Sequence, residues 1–224
     1  MRIKSFIFNW KDWRENALHL ESQLRNISDV TVISSTDNGY TDENWSEIGE
    51  DKYFVGQWNK ALSLYDPTKY DIMFHVQADA HTDQLEAIIN KAISVFDETQ
   101  WGVYAPHVDY SAWDNRHILE KNYMDNEMLH RMGGTDCTCW MIHNDVVIRI
   151  PASFDENLNS YGFGIDILYF RMCKLLDRPA LRDYNFVVDH PKSKGYPGGE
   201  ANSQAKATAE LYKSFITKDV KWQL

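Results

Sequence analysis

The chain has 224 residues, of which 43% are hydrophobic and 25% charged, and its net charge is −10. This length and apolar content are enough for one globular domain with its own core, which excludes a disordered chain and a disulfide scaffold. No apolar run approaches the roughly 18 residues of a membrane span, and the acidic balance argues against a broad nucleic-acid-binding surface, so we expect a cytoplasmic protein with no membrane span.

Strand and helix patterns alternate along the first half of the sequence. Residues 3–9 alternate in the manner of a strand, and Asp12 and Glu15 then form a capping box that predicts the start of a helix. Further strands are predicted over residues 30–34, 71–76 and 101–106, and the helices between them are predicted to begin near Phe54 and at Thr82 as the N-cap. This alternation predicts an α/β fold with a mostly parallel, twisted sheet covered by helices on both faces.

The second half of the domain is less regular. Residues 107–134 form a polar and aromatic excursion, a long connection of the kind that usually carries a binding function. The regular elements predicted after it are a strand over residues 137–143, a helix that follows Gly162 and Gly164, and a strand over residues 184–188. We therefore expect one main domain over residues 1–190, built from the halves 1–106 and 107–190.

The character of the sequence changes at Pro191. Six Lys against three acidic residues give the segment 191–224 a net charge of +3. Its first part is rich in glycine, which favours a mobile connection, and a helix is predicted near residues 200–216. We expect this segment to be a mobile basic tail that ends in a helix.

The segments that follow the early strands carry most of the polar groups. Ligands of open α/β sheets bind beyond the carboxyl ends of the strands, so these segments are the first candidates for a site. Asp79 and His81 are two residues apart, and in an extended chain they would share one side. A carboxylate and an imidazole together suit a divalent cation such as Mn²⁺. The alternative is that both residues are ordinary loop residues that lead into the next helix.

Two later segments could also carry chemistry. Asp166 lies in the first turn of a predicted helix, where the helix dipole favours the ionised carboxylate that a general base requires. The alternative for Asp166 is an acidic residue that only stabilises the helix start. His190 is a potential metal ligand that precedes the cations Lys192 and Lys194; the alternative there is a solvated basic turn.

The sequence argues against several other enzyme classes and against a zinc site. It contains no G-x-S-x-G, Walker A or G-x-G-x-x-G motif, which argues against a serine hydrolase, a P-loop kinase and a dinucleotide oxidoreductase. Cys137 and Cys139 are expected to be buried thiols and not zinc ligands. His75 lies in the middle of a predicted strand, and we expect it to be a core histidine with satisfied hydrogen bonds.

Taken in order, these segments of residues 3–196 resemble a small, stand-alone nucleotide-sugar glycosyltransferase of the GT-A fold, of the family-2-like type found in bacteria and phages. The resemblance implies a nucleotide-sugar half over residues 1–106 and an acceptor half over residues 107–190. Residues at the positions that hold the donor nucleotide in such enzymes are Asn9, Trp10, Asp37, Lys60, Gln77, Lys192 and Lys194.

The same resemblance implies a metal site and a catalytic base. Asp79-Ala80-His81 resembles the D-x-D motif with a histidine in its last place, and His190 matches the late histidine that completes the metal site, which implies Mn²⁺ or Mg²⁺ as cofactor. Asp166 matches the base of inverting members. The acceptor-binding positions implied by the resemblance are Tyr161, Gly164 and Asp136.

The implied reaction moves a sugar from a nucleotide-sugar, with a UDP-sugar as the expected donor, to an acceptor hydroxyl with inversion. A glycan is the expected acceptor, and a phage enzyme acting on a modified DNA base is a subtype of the same hypothesis. The alternative from another class is a non-catalytic sugar- or nucleotide-binding protein of the same fold. A nucleotidyltransferase would need a Gly-rich basic loop after the first strand, and the sequence Asn9-Trp10-Lys11-Asp12 is not one.

Overall fold

The fold is taken from a computed structural model that describes residues 1–35, 45–49, 52–111, 114–191 and 198–212. Asp37, Lys192 and Lys194, which the sequence assigned to the donor nucleotide, lie outside the described residues. In the described ranges, no helix is long and apolar enough to cross a membrane.

The described residues form nine strands and seven α-helices. The strands are β1 (Ile3–Asn9), β2 (Asp29–Ser34), β3 (Ser46–Glu47), β4 (Ile72–Gln77), β5 (Val103–Val108), β6 (Ile118–Glu120), β7 (Leu129–Met132), β8 (Cys139–His143) and β9 (Ala180–Val188). The helices are α1 (Arg14–Leu24), α2 (Phe54–Leu64), α3 (Leu85–Ser94), α4 (Phe96–Thr99), α5 (Asn144–Val147), α6 (Ile165–Leu175) and α7 (Gly198–Leu211).

All nine strands belong to one sheet in the order β3-β2-β1-β4-β8-β5-β9-β7-β6. The strands from β3 to β4 are parallel, β8 runs antiparallel between β4 and β5, and β9 is parallel to β5. At the far edge β7 is antiparallel to both β9 and β6. Only β7 and β8 therefore oppose the common direction, and the predicted α/β fold with a mostly parallel sheet is confirmed.

Each face of the sheet is covered by helices. On one face, α1 and α3 bury apolar residues such as Leu20 and Ile88. On the other face, α2 and α6 bury a more aromatic layer that includes Trp58 and Tyr169. Every residue of β1 is buried, because this strand lies inside the sheet with both faces covered. Because helices cover both faces of the sheet, the ends of the strands are the parts of the sheet that remain uncovered.

Two predicted helix starts are wrong in detail. Helix α1 begins at Arg14 with Trp13 as its N-cap and no side-chain capping bond, so Asp12 does not cap it. Helix α3 begins at Leu85 with Gln84 as its N-cap. The hydroxyl of Thr82 instead accepts the backbone N–H of Gln84 at 3.1 Å and stabilises the turn before the helix. Neither predicted side chain therefore caps its helix: Asp12 only precedes α1, and Thr82 stabilises the turn before α3.

The excursion over 107–134 contains more regular structure than its composition predicts. It supplies β6 and β7, which extend the sheet beyond β9. The last strand is also longer than predicted, since β9 begins at Ala180 and its first four residues are buried. The charged residues Arg182 and Asp183 in this stretch interrupt the apolar alternation, so the strand pattern is not recognisable there.

The C-terminal helix α7 packs against the segment that leads into α6. Asn159 donates from Nδ2 to Thr208 Oγ1 at 2.8 Å, and Gln204 Oε1 accepts the backbone N–H of Ser160 at 3.0 Å. Gly164 faces the backbone of Ala205, where an added Cβ would lie at ordinary contact distance. Helix α7 thus holds the turn that precedes Asp166, while the division of the chain at residue 190 stays a prediction.

Replacing Asn159 is expected to loosen this contact. The buried side chain also accepts the N–H of Gly162 at 2.8 Å and donates to the carbonyl of Phe163 at 3.0 Å. Asn159→Ala would remove the partner of two buried groups, the N–H of Gly162 and the hydroxyl of Thr208, so we expect the free energy of unfolding to fall by about 2–3 kcal/mol. Urea denaturation measures the change. Asn157→Ala, on the exposed surface two residues away, is the control; equal stability of the two variants would contradict the prediction.

Candidate functional site

The carboxyl ends of β1 and β2 form a buried polar corner. Asn9 is 1% exposed, and its Nδ2 donates to Ser34 Oγ at 3.0 Å. Gln57 of α2 reaches the same corner, where its Nε2 donates to the carbonyl oxygens of Asn9 at 2.7 Å and Ile33 at 3.1 Å. The remaining amide oxygens, Asn9 Oδ1 and Gln57 Oε1, are buried and accept no hydrogen bond within the described ranges. Unpaired buried acceptors are costly, so this corner is suited to a ligand that donates hydrogen bonds.

Gln57 was missed by the sequence analysis. It lies on the apolar face of α2 beside Trp58, and it is fully buried. A polar residue inside an otherwise apolar helical stripe is the signal that could have identified it. Of the other donor-side candidates, Trp10 follows β1 directly, Lys60 is half-buried one turn after Gln57, and Gln77 ends β4.

The turn after β4 places Asp79 next to this corner. The N–H of Ala78 donates to the carbonyl of Phe8 at 2.8 Å, which ties the turn to the end of β1. Asn16 of α1 holds the turn from the other side, because its Nδ2 donates to the carbonyl oxygens of Ala78 and Ala80, both at 2.7 Å. These contacts fix the backbone on both sides of Asp79, whose side chain is 5% exposed.

Asp79 and His190 come together although β4 and β9 are not neighbours in the sheet. The N–H of His81 donates to the carbonyl of Asp189 at 2.8 Å, and the N–H of Asp189 donates to the carbonyl of His81 at 3.1 Å. This bridge brings Asp79 Oδ2 to 3.4 Å from His190 Nε2. Asp79 Oδ1 and both ring nitrogens of His190 are buried and form no well-aligned hydrogen bond in the described part of the chain. The pair therefore offers oxygen and nitrogen lone pairs that the described residues do not satisfy.

The pair lies in an acidic environment. Burial favours the neutral form of His190, but the contact with Asp79 and the charges of Asp79, Asp136 and Asp109 raise the pKa of His190 above its ordinary value. Asp109 Oδ1 also accepts the backbone N–H of His190 at 2.8 Å. A group of carboxylates that stabilises a protonated imidazole would also stabilise a bound cation. Asp109 follows β5, and the sequence analysis missed it because only the segments after the earlier strands were considered.

The structure does not bring His81 into this pair. The ring of His81 packs edge-on against Trp13, with centroids 5.5 Å apart. Together with His19 and Asp83 it lines a separate cavity of about 620 Å³. The expected side-by-side placement of Asp79 and His81 requires an extended chain, whereas residues 78–79 form a turn. Among the described residues, no three His, Cys, Asp or Glu side chains assemble into a metal-binding group.

Asp136 lies in the turn before β8, and Asp166 lies in the first turn of α6. Burial raises the pKa of the Cys137 thiol, and the charges of Asp136 and Asp166 raise it further. Asp136 Oδ1 accepts the N–H of Thr138 at 2.9 Å in the turn that opens β8. Asp166 Oδ1 accepts the N–H of Ile167 at 2.9 Å in the first turn of α6. The charge of Asp136 therefore acts on both His190 and Cys137, and the charge of Asp166 acts on Cys137.

Two glycines shape the turn in front of Asp166. A Cβ at Gly162 would lie 2.3 Å from Cδ1 of Phe54, so only glycine permits this close approach to α2. Gly164 is the N-cap of α6 and has a φ of +88°, which favours glycine. Tyr161 lies before them with its ring edge-on to Tyr53 at 5.3 Å between centroids. Gly164 therefore shapes the backbone, and its assignment to acceptor binding stays a prediction.

Comparison with known proteins gives structural matches only. No family model and no curated protein matches the sequence. The structure of GalNAc-T7 with UDP, GalNAc and Mn²⁺ matches with a TM-score of 0.64 and 8% identity over 96% of this chain and 49% of that one. Glucosyl-3-phosphoglycerate synthase from Mycobacterium tuberculosis, with Mn²⁺, UDP and phosphoglyceric acid, matches with a TM-score of 0.58 and 12% identity over 97% and 80%. A mycobacterial protein matches with a TM-score of 0.59 and 12% identity over 95% and 74%.

The chain has the GT-A fold. It spans about half the length of the GalNAc-T7 chain and four fifths of the synthase. Within this GT-A fold, the Asn9 corner and the Asp79–His190 pair lie at the carboxyl ends of β1, β4 and β9, where open α/β sheets bind their ligands. The resemblance deduced from the sequence is thereby confirmed at the level of the fold.

The buried histidine of the central sheet, His75, differs from its prediction in its hydrogen bonding. His75 of β4 is fully buried against Phe8, Phe54 and Trp58, with ring centroids 4.1–5.7 Å away. Burial lowers the pKa of His75 to about 3, against a smaller opposing effect of the Cys137 backbone. Neither ring nitrogen forms a hydrogen bond of good geometry in the described residues. His75 is a core histidine as predicted, but its hydrogen bonds are not satisfied.

Proposed function

We propose that the chain is a metal-dependent glycosyltransferase that moves a sugar from a nucleotide-sugar, of the UDP class, to an acceptor hydroxyl with inversion. The proposal rests on one observation: Asp79 and His190 meet at 3.4 Å with buried lone pairs that the described residues do not satisfy. Both the GalNAc-T7 structure and the synthase structure contain UDP and Mn²⁺, which supports this donor and cofactor class.

The donor set of the pair fits a divalent cation. One carboxylate and one imidazole suit Mn²⁺, with Mg²⁺ as the harder alternative, and they leave coordination positions for oxygens of a substrate. A cation bound there would neutralise the charge that develops on a departing nucleoside diphosphate. His81 belongs to this set only if its side chain turns away from Trp13, so Asp79 and His190 are the residues that we propose as ligands.

The remaining steps use the chain's own residues. Asn9 and Gln57 would accept hydrogen bonds from the nucleoside, with Trp10, Asp37, Lys60 and Gln77 as the further donor-side residues of the proposal. Asp166 would take the proton of the acceptor hydroxyl while the hydroxyl oxygen forms a bond to the anomeric carbon of the sugar. The bond from that carbon to the diphosphate then breaks, and its electron pair leaves with the diphosphate. Attack from the side opposite the leaving group inverts the anomeric centre.

The proposal also covers the basic tail and the contacts with the acceptor. Lys192 and Lys194, which lie outside the described residues, are proposed to contact the diphosphate from the basic tail and exclude water. Tyr161 and Asp136 are proposed to contact the acceptor. A glycan is the expected acceptor class, and a modified DNA base is the alternative.

A non-catalytic nucleotide-binding protein of the same fold is the second candidate. The observation that favours it is the position of His81, which leaves only two of the three expected ligands together. This candidate predicts UDP binding without any turnover of the sugar donor.

The first test is calorimetric binding of UDP with Mn²⁺ and with EDTA. We expect binding that depends on the metal, and a loss of about tenfold to a hundredfold in Asp79→Asn, which keeps the shape of the side chain and removes its charge. Asp83→Asn is the matched control, because Asp83 lies in the same turn region with its side chain 88% exposed. Absence of UDP binding in the unaltered chain would overturn the proposal.

The second measurement separates the two candidates. Donor hydrolysis and transfer are followed with UDP-glucose, UDP-galactose and their N-acetyl forms, using a mixture of glycan acceptors. Turnover that Mn²⁺ restores after EDTA supports the glycosyltransferase. Tight UDP binding with no release of UDP from any donor supports the non-catalytic protein.

A further inference from the structure

A second cavity, of about 450 Å³, lies beside the Asp79–His190 pair. It is formed by the ends of β5 and β9 and by residues 109–111 and 114–116. The lining residues that matter here are His107, Asp109, Asp114, Arg116, Arg182 and Tyr184. Asp109 connects the cavity to the pair, since its side chain accepts the N–H of His190.

Arg182 supplies a positive charge to the inner wall. It is only 1% exposed, and its Nε donates to Thr135 Oγ1 at 3.2 Å. The guanidinium carbon lies 6.0 Å from the centroid of the Tyr184 ring, which also lines the cavity. The planar, always-charged guanidinium matches the two oxygens of a phosphate or carboxylate better than any other side chain.

His107 adds a second group for the same ligand. Its ring stacks on Tyr184, with centroids 4.8 Å apart and planes 19° from parallel, so its orientation is fixed. Its Nδ1 is buried and has no hydrogen-bond partner in the residues that the structure describes. Burial lowers the pKa of His107 and the charge of Arg182 lowers it further, against an opposing effect of the Asp109 charge. An anion in the cavity would give Nδ1 a partner and would raise this pKa.

Both acidic residues of the wall already accept hydrogen bonds from groups of the protein. Asp114 binds Arg116, with Nε–Oδ2 and Nη2–Oδ2 distances of 2.8 and 2.7 Å, and these hydrogen bonds hold the pKa of Asp114 at about 2. Asp109 is held by the N–H of His190. The carboxylates at the rim are therefore fixed by cationic or N–H donors, while Arg182 and His107 form the inner wall.

We propose that this cavity, here named the anion cavity, binds a phosphate or carboxylate group of the acceptor. The inference rests on the proposed function and names the acceptor class: a molecule that carries an anionic group beside the hydroxyl that receives the sugar. Binding of the anion by Arg182 and His107 would place the hydroxyl on the side of the cavity that faces the acidic residues of the site.

The test follows the ring signals of His107 by NMR in the full chain, without donor or metal, during titration with inorganic phosphate and separately with acetate. Phosphate is expected to shift the His107 signals and to raise its pKa, and acetate does the same if a carboxylate is the better ligand. Arg182→Gln should weaken binding about tenfold or more, since it removes a charge-assisted pair of hydrogen bonds. Arg182→Lys should recover part of the loss.

The control is Arg149→Gln, which replaces an exposed arginine just after α5 and outside the cavity lining and should bind phosphate as the unaltered chain does. If Arg182→Gln does not fold, His107→Gln measured by calorimetry replaces it, with an expected loss of about threefold to tenfold. A His107 signal that neither anion moves overturns the proposal.

A competition experiment separates this proposal from the proposed function. UDP with Mn²⁺ should leave phosphate bound at His107, because the two ligands occupy different parts of the site. Displacement of phosphate by UDP would place the anion in the donor site and overturn the anion cavity. If phosphate binds as expected while UDP does not bind at all, the cavity stands and the glycosyltransferase proposal fails.

Discussion

Asp166→Asn is expected to abolish sugar transfer while donor binding stays intact. The substitution keeps the size of the side chain and an oxygen that can still accept the N–H of Ile167 at the start of α6. It removes the only property that the proposed reaction needs from this residue, the ability to take a proton from the acceptor hydroxyl. General-base catalysis contributes about 10²–10⁴-fold to a rate, so kcat should fall by that factor with an unchanged Kd for UDP.

The measurement combines transfer kinetics with calorimetry of UDP and Mn²⁺. Asp177→Asn is the matched control, because Asp177 is an exposed acid just beyond the other end of α6. A second readout is the anomeric configuration of the product by NMR, which should be inverted relative to the donor. Turnover of Asp166→Asn within threefold of the unaltered chain, or a product with retained configuration, would remove Asp166 from the role of base and make Asp136 the next candidate.

The order of helices and strands could be predicted from the sequence because the buried face of each element carries apolar residues at regular spacing. Helix α3 shows it most clearly: its buried residues recur at helical spacing. Strand β1, buried along its whole length, is also recovered. The sheet order could not be predicted, since nothing local specifies that β8 inserts between β4 and β5. Strand β9 was predicted only in part, because Arg182 and Asp183 in its first four residues are charged yet buried.

The sequence indicates candidate site residues only where a single side chain is informative by itself. Asp79, His190 and Asp166 are candidates of this kind, since they follow strands or open a helix, and their roles stay predictions. The position of His81 depends on a two-residue turn and on its backbone bridge to Asp189, which alternation along an extended chain cannot predict. Gln57 and Arg182 were missed for a related reason: each occupies a position that periodicity assigns to the apolar core.

Acid should destabilise the protein through His75. The folded state holds this ring neutral, with a pKa of about 3, whereas in the unfolded chain the pKa returns to about 6.5. Below about pH 6.5 the unfolded state therefore binds a proton that the folded state does not. The stability that His75 contributes is present above this pH and is lost as the pH falls toward 3, at about 1.4 kcal/mol per pH unit. Because the ring is completely buried, solvent screening does not reduce the effect.

Urea denaturation between pH 7.5 and 4.5 measures this slope. His75→Gln introduces a neutral side chain that cannot titrate, so the variant should lose less stability per pH unit than the unaltered chain, whatever its stability at neutral pH. The comparison uses slopes because other groups titrate equally in both proteins. Equal slopes for His75→Gln and the unaltered chain would show that the aromatic layer admits a proton or water, and that His75 is not the acid-sensitive point of the core.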